Sequence, residues 1–273
     1  MGIVSSTGGI PHKETIRMNT QDGHPINSAK RKMLRGEPAL GTSCVLGSNR
    51  MVEALSFGGF DFVMIDLQHG DWTDHTAGDG FRHINLGSAT PMARVGRNDF
   101  GAIGRLLDRG ALGIIVPMVN TEADARAAAH AMRFPPYGGR SYGGAPSHYG
   151  NDYEAWVDNE VFLAVQIESA EAVRNAEAIL SVPGVDGCWI GPADLAKTMG
   201  IDRNAPRDAK AHLDAILSVR DACRKTGKIC GISGGYDISY WLQNGFQFVT
   251  ISADIGLMME GAKVAFELAN ARH

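Results

Sequence analysis

No stretch of about 18 consecutive apolar residues occurs in the chain, so no membrane-spanning helix is expected. No block of lysine and arginine stands out either. With 26 basic against 30 acidic residues and a net charge of -4, the sequence offers no clustered cationic face for a nucleic acid. Cysteine is scarce, and none of Cys44, Cys188, Cys223 and Cys230 stands in a CxxC pair, which speaks against a zinc or thioredoxin-type site. Cys44 and Cys188 lie inside apolar runs and read as buried small hydrophobes. All four are expected as free thiols of a reducing cytoplasm. No GxGxxG follows the first apolar strand, which removes the usual dinucleotide-binding fingerprint. The first apolar stretch is short and broken by Gly8 and Gly9, so no secretory leader is expected and the location reads as cytoplasmic.

What is present fits one α/β domain. A length of 273 residues is close to that of a single (β/α)8 TIM barrel. Residues 1–25 are polar and glycine-rich and read as an extended N-terminal arm. Residues 26–273 read as the barrel. A capped helix through Leu34, started by Asn27 or Ser28, leads into it. Eight apolar runs then alternate with helical stretches: Thr42–Leu46, Phe62–Leu67, Pro91–Val95, Gly113–Met118, Phe162–Ile167, Gly187–Ile190, Ile229–Ile232 and Phe246–Ser252. Runs this uniformly apolar suit strands buried on both faces of a parallel sheet. The helices between them are expected at 50–57, 74–86, 100–109, 122–132, 153–159, 170–180, 208–225, 238–244 and 255–270. From Phe134 to Gly150 runs a loop rich in glycine, proline and tyrosine, a length that usually signals function or motion. An open doubly wound sheet is the alternative architecture.

In a parallel barrel the chemistry gathers where strands end. The second run ends Asp66-Leu67-Gln68-His69, the third ends at Arg94, the fifth at Gln166-Ile167-Glu168, and the sixth runs into Gly191-Pro192-Ala193-Asp194. Glu168 and Asp194 are oxygen donors on neighbouring strand ends, a set that suits Mg2+ or Mn2+ completed by water and substrate. As single residues, each equally fits a cap on the helix that follows. Gln166 shares the face of Glu168, two residues away. The fork of Arg94 matches a carboxylate, either that of a ligand or that of Asp66 in a structural pair. His69 follows an acid by three residues, which fixes an imidazole and raises its basicity.

These segments, together with Val116-Pro117-Met118 and Arg133-Phe134-Pro135-Pro136-Tyr137-Gly138-Gly139-Arg140, resemble the HpcH/HpaI family of class II, metal-dependent pyruvate aldolases over about residues 35 to 270. The resemblance implies a divalent cation (Mg2+, Mn2+ or Co2+) on Glu168 and Asp194, a catalytic His69, and an Arg94 that positions pyruvate. It further implies that Gln166 and the backbone of Ala193 contact the oxo acid. It implies an acid at Asp108 that supports the histidine from a neighbouring subunit, in a hexamer (a trimer of dimers) with exchanged C-terminal helices. A salt bridge within the chain is the other reading of Asp108. Many family members carry glutamate before the histidine, where this chain has Gln68.

The expected reaction is reversible retro-aldol cleavage of a 4-hydroxy-2-oxo acid to pyruvate or hydroxypyruvate and an aldehyde. His69 serves as the base and Asp66 orients it. No lysine falls at a strand tip, since Lys197 lies past the sixth run and Lys228 before the seventh, which argues against a Schiff base. A lyase or decarboxylase acting on a CoA ester or oxaloacetate is the alternative, with the Phe134–Gly150 loop around the larger substrate. A non-catalytic 2-oxo-acid-binding protein is the second.

Overall fold

The computed structural model describes residues 20–21, 24–143, 146–150, 152–202, 206–235 and 237–271. Most of the expected arm, including residues 1–19, lies outside them. Within it, Thr20–Gln21 pairs with His24–Pro25 in a short antiparallel ladder. The core is a closed barrel of eight strands: β1 (Ala39–Cys44), β2 (Phe62–Asp66), β3 (Thr90–Arg94), β4 (Gly113–Val116), β5 (Phe162–Ile167), β6 (Gly187–Ile190), β7 (Gly231–Ser233) and β8 (Phe248–Ala253). Each pairs in parallel with its sequence neighbours, and β8 closes on β1. Around it run α1 (Ser28–Leu34), α2 (Asn49–Ser56), α3 (Asp74–Ile84), α4 (Phe100–Asp108), α5 (Glu122–Met132), α6 (Tyr153–Glu160), α7 (Ala170–Arg174), α8 (Ala176–Leu180), α9 (Pro192–Met199), α10 (Pro206–Thr226), α11 (Ile238–Gln243) and α12 (Asp254–Asn270).

The two-residue period of the strands sorts the core into two parts. Phe62, Met64, Met92, Ile115, Phe162, Ala164, Trp189 and Phe248 form the cluster that fills the lumen. Val63, Ile65, Ala93, Ile114, Leu163, Val165, Cys188 and Ile190, one residue out of phase, join the larger cluster with the outer helices. Complete burial of a large apolar side chain stabilises by roughly 1.5–3 kcal/mol, so the lumen is a packed solid rather than a channel. Gly41 makes this possible, because a Cβ there would stand 2.3 Å from the Phe62 ring.

One end of the lumen is plugged. Ala29 and Met33 of α1 belong to the lumen cluster. Asn27 caps that helix by accepting from the Lys30 N–H at 2.8 Å, and its Nδ2 donates to Leu112 O at 2.9 Å and Glu160 O at 3.1 Å. The strands begin at this face, so their carboxyl ends form the open one.

Several elements depart from the sequence expectation, four of them instructively. The first strand begins at Ala39 rather than Thr42, because Pro38 ends the α1 loop and Ala39 N–H at once finds Gln247 O at 2.7 Å. The seventh is Gly231–Ser233, with Ile229 making only an isolated bridge to Gly187. The expected helix over 170–180 breaks at Asn175 into α7 and α8. Helix α9 is not among the helices expected between the sixth and seventh strands; it starts on Pro192, where proline costs no hydrogen bond.

The Phe134–Gly150 loop follows α5 and leads through α6 into the start of β5, so it lies at the plugged face. Within it, burial and the charge of Arg82 hold the His148 imidazole down to about 4. The native chain therefore keeps His148 neutral while the unfolded chain protonates near 6.5. Its contribution to stability is complete above that value and is lost as pH falls toward 4. A His148→Gln variant is expected to gain on the wild type in urea-unfolding midpoint between pH 7 and pH 4.5. A constant gap across that range would refute this role.

Candidate active site at the open barrel face

The alternation that sends Phe62 and Met64 into the lumen sends Asp66 the same way at the tip of β2. The same parity carries Met92 to Arg94 on β3, and Phe162 and Ala164 to Gln166 and Glu168 at the tip of β5. Four polar side chains thus arrive at one opening, all at least nine-tenths buried.

Asp66 and Arg94 form a bidentate pair. Arg94 Nε donates to Asp66 Oδ1 at 3.0 Å and Nη2 donates to Oδ2. The guanidinium also lies over the Trp189 ring, 5.4 Å from its centre. Asp66 Oδ1 accepts in addition from the backbone N–H of Gln68 at 3.0 Å and of His69 at 3.3 Å. Asp66 therefore meets His69 through its backbone and shapes the loop, while the imidazole itself is exposed at the rim. Gly70 completes this turn, since a Cβ there would lie 2.4 Å from Asp66 O.

Glu168 accepts the Met118 N–H on Oε1 at 2.9 Å and the Gln166 Nε2 on Oε2. Met118 adopts φ 54°, a left-handed conformation that is strained for a side-chain-bearing residue by about 1–3 kcal/mol. Burial pushes the Glu168 carboxyl above its ordinary range and the Asp194 charge adds to this, against the Met118 N–H, Arg94 and Gln166. Asp194 lies half-exposed in the first turn of α9. No side chain caps that turn, and the first helical bond is Leu195 N–H to Gly191 O. Among the described residues the Ala193 N–H has no backbone partner, which leaves a donor at a helix N-terminus.

Two observations bear on whether these residues suit a cation. Gln166 Oε1 is buried without a partner. Gly191 keeps a space open, because a Cβ there would stand 2.8 Å from Glu168 Oε2 and 3.0 Å from Gln166 Nε2. A pair of mutually repelling carboxylates beside an orphaned amide oxygen and a cleared volume is an all-oxygen donor set that fits a hard divalent ion. Asp66, the third acid at this opening, is held by Arg94, so Glu168 and Asp194 are the carboxylates open to an ion. The contributions of Gly191, Trp189 and the Met118 N–H were missed by sequence reasoning. The Gly-Pro-Ala-Asp and Val-Pro-Met segments carried the signal, without a role attached.

Asp108 is not at this mouth. It ends α4 at the plugged face, where its Oδ1 accepts from Arg140 Nη2 at 2.7 Å. Arg140 is wholly buried, donates also to Tyr153 Oη at 3.1 Å and stacks on Phe134.

These features define a (β/α)8 barrel with a polar, acid-lined mouth. The chain belongs to the HpcH/HpaI aldolase/citrate lyase family, whose model matches residues 44–260. It is 37% identical to a hydroxypyruvate/pyruvate aldolase of Rhizorhabdus wittichii, covering 90% of this chain and 99% of that one. It is 34% identical to a 4-hydroxy-2-oxo-heptane-1,7-dioate aldolase of Shigella sonnei, covering 87% and 92%. The crystal structure of an HpcH/HpaI aldolase/citrate lyase family protein from Burkholderia cenocepacia superposes with a TM-score of 0.81 at 30% identity, over 89% of this chain and 99% of that one.

Proposed function

We propose that the chain is a carbon–carbon lyase that cleaves a 4-hydroxy-2-oxo acid reversibly to pyruvate or hydroxypyruvate and an aldehyde. The observation that carries this reading is the Gln166–Glu168 pair beside Asp194, with an orphaned amide oxygen and the space kept by Gly191. Family membership and the names of the aldolase relatives support it.

Glu168 and Asp194 would hold a divalent cation, Mg2+, Mn2+ or Co2+, whose Lewis acidity lowers the cost of the enolate by several kcal/mol. The protein's own groups do the rest. The Ala193 N–H and Gln166 receive the carboxylate end of the oxo acid. Arg94, pinned by Asp66 and Trp189, adds fixed positive charge where the enolate oxygen develops. His69 takes the proton of the C4 hydroxyl in cleavage and a methyl proton of pyruvate in synthesis. Within its own barrel the described part of the Phe134–Gly150 loop lies at the face opposite the mouth, away from where the CoA-ester alternative needs it.

The same placement makes Asp108, whose side chain is about a quarter exposed, a candidate to serve a neighbouring subunit, with the buried Arg140 holding it in place. Helix α12 favours such an assembly. Its start is anchored by Asp254, which accepts from Val45 and Leu46 N–H at 3.0 and 3.1 Å, while Met259, Phe266 and Leu268 further along are more than 60% exposed. Apolar side chains left out on one helix mark a contact surface, which fits an exchanged helix in a hexamer. Mixing His69→Ala and Asp108→Asn subunits after dissociation should restore about a quarter of wild-type activity by random reassembly, if each site is shared between chains. Recovery no greater than the sum of the separate variants would place Asp108 in a purely structural role. A cytoplasmic location is part of this proposal; among the described residues no helix is long and apolar enough to cross a membrane. Residues 26–273 are assigned to the one catalytic domain.

The assay that tests the function is aldol addition of pyruvate and hydroxypyruvate to a panel of aldehydes with added Mg2+, Mn2+ or Co2+. Metal-dependent formation of 4-hydroxy-2-oxo acids is the expected result. Turnover of CoA esters or oxaloacetate without aldol addition would replace this reading.

A further inference from the structure

Away from the mouth, the fold assembles a group that no spacing rule announces. Cys188 on β6 points outward, out of phase with the lumen residue Trp189. There it meets Cys223 from the last turn of α10 and Cys230 just ahead of β7. The three sulfurs all lie within 4.8 Å of one another, and Cys188 Sγ and Cys223 Sγ are 3.4 Å apart. The side chains are exposed by 0%, 1% and 3%. A central atom bonded to three sulfurs at about 2.3 Å holds them roughly 3.5–4 Å apart, so the trio needs little adjustment to share one.

The surroundings select what that atom is. Among the described residues no His, Asp, Glu or further Cys joins the group, so a tetrahedral Zn2+ site lacks its fourth protein ligand. Among the described residues the groups that act most on the three thiols are one another and the Gly231 N–H, which donates to Cys188, with no charged side chain among them. Three thiolates around Zn2+ or Cu(I) would leave net negative charge in this apolar layer, at a high desolvation cost.

We propose that Cys188, Cys223 and Cys230 form a capture site for a trivalent metalloid presented as its neutral hydroxide, with arsenite as the probe. The reaction is As(OH)3 with three thiols giving As(SR)3 and three waters. Three As–O bonds break and three As–S bonds form. Each thiol proton leaves on a hydroxide, no electron is transferred, and the buried product carries no charge. Uptake is slow, since α10 must part from β6 for entry. The site is independent of the aldolase reading.

Native mass spectrometry of the reduced full-length protein after incubation with arsenite tests this. X-ray absorption at the arsenic edge then reads the ligands. The expected result is one arsenic per chain with the loss of three waters and a shell of three sulfurs and no oxygen. Cys44→Ala should retain this uptake, and Cys223→Ser should weaken it at least tenfold. Oxygen in the arsenic shell, or uptake unchanged in Cys223→Ser, overturns the proposal. So does preferential stoichiometric uptake of Zn2+ or Cu(I) in parallel incubations, or a Cys188–Cys223 disulfide without bound arsenic. If Cys223→Ser does not fold, the wild-type absorption spectrum decides alone.

Discussion

Glu168→Ala is expected to lower kcat/KM for aldol cleavage on the order of 10³-fold, because under the proposed function its carboxylate would hold a cation that supplies several kcal/mol of transition-state stabilisation. The structure also predicts that the fold does not suffer in proportion. Glu168 is a buried acid whose carboxyl is pushed up by burial and by Asp194, and the Met118 N–H that serves it comes from a left-handed backbone. Those are costs carried for function, and removing the acid releases part of them while orphaning one N–H. Steady-state kinetics with saturating Mn2+ and a melting curve check both halves. A variant that loses stability and activity together, with activity restored at low temperature, would mark Glu168 as structural.

His69→Ala is expected to lower kcat by 10²- to 10⁴-fold, the usual range for a general base. His69 is exposed at the rim, and among the described residues its ring makes no hydrogen bond, so its removal should shift stability by less than about 0.5 kcal/mol. Rate loss without unfolding separates a chemical role from a packing one. An unchanged kcat would move the proton transfer to another group. Gln68, whose Oε1 is buried without a partner, stands beside this base. A Gln68→Glu variant is the natural companion for reading how an added charge beside this base alters the pH dependence of kcat.

Much of this was legible in the chain because the barrel strands are short, apolar and buried on both faces, so their runs stand out without any partner being known. The strand ends gather Asp66, Arg94 and Glu168 at one face of the barrel, and the period of two puts Gln166 on the same side of its strand as Glu168. Other features depend on tertiary closure. Whether Arg94 turns its fork to a ligand or to Asp66 is decided by the register that sets Asp66 opposite Arg94 across β2 and β3. Asp108 and Arg140, 32 residues apart, meet only because the α4 end and the loop after α5 share the plugged face. The thiols of Cys188 and Cys223, 35 residues apart, meet because α10 lies along β6. The reading of Cys188 as a lone buried hydrophobe was right about burial and silent about company. Helix α9, which brings Asp194 and the Ala193 N–H to the mouth, starts at a Gly-Pro pair, a dipeptide that serves equally as a break and as a helix start.

The central claim is that acids from neighbouring strands hold a cation and that the adjoining groups support proton removal from a three-carbon oxo acid. Exchange of the pyruvate methyl protons in deuterated water, followed by NMR without any aldehyde, isolates that step. The account predicts rapid exchange in wild-type protein supplied with Mg2+ or Mn2+, and its loss both in EDTA and in Glu168→Ala. Exchange that continues undiminished in metal-stripped protein, or that never occurs in metal-supplied wild type, would contradict it.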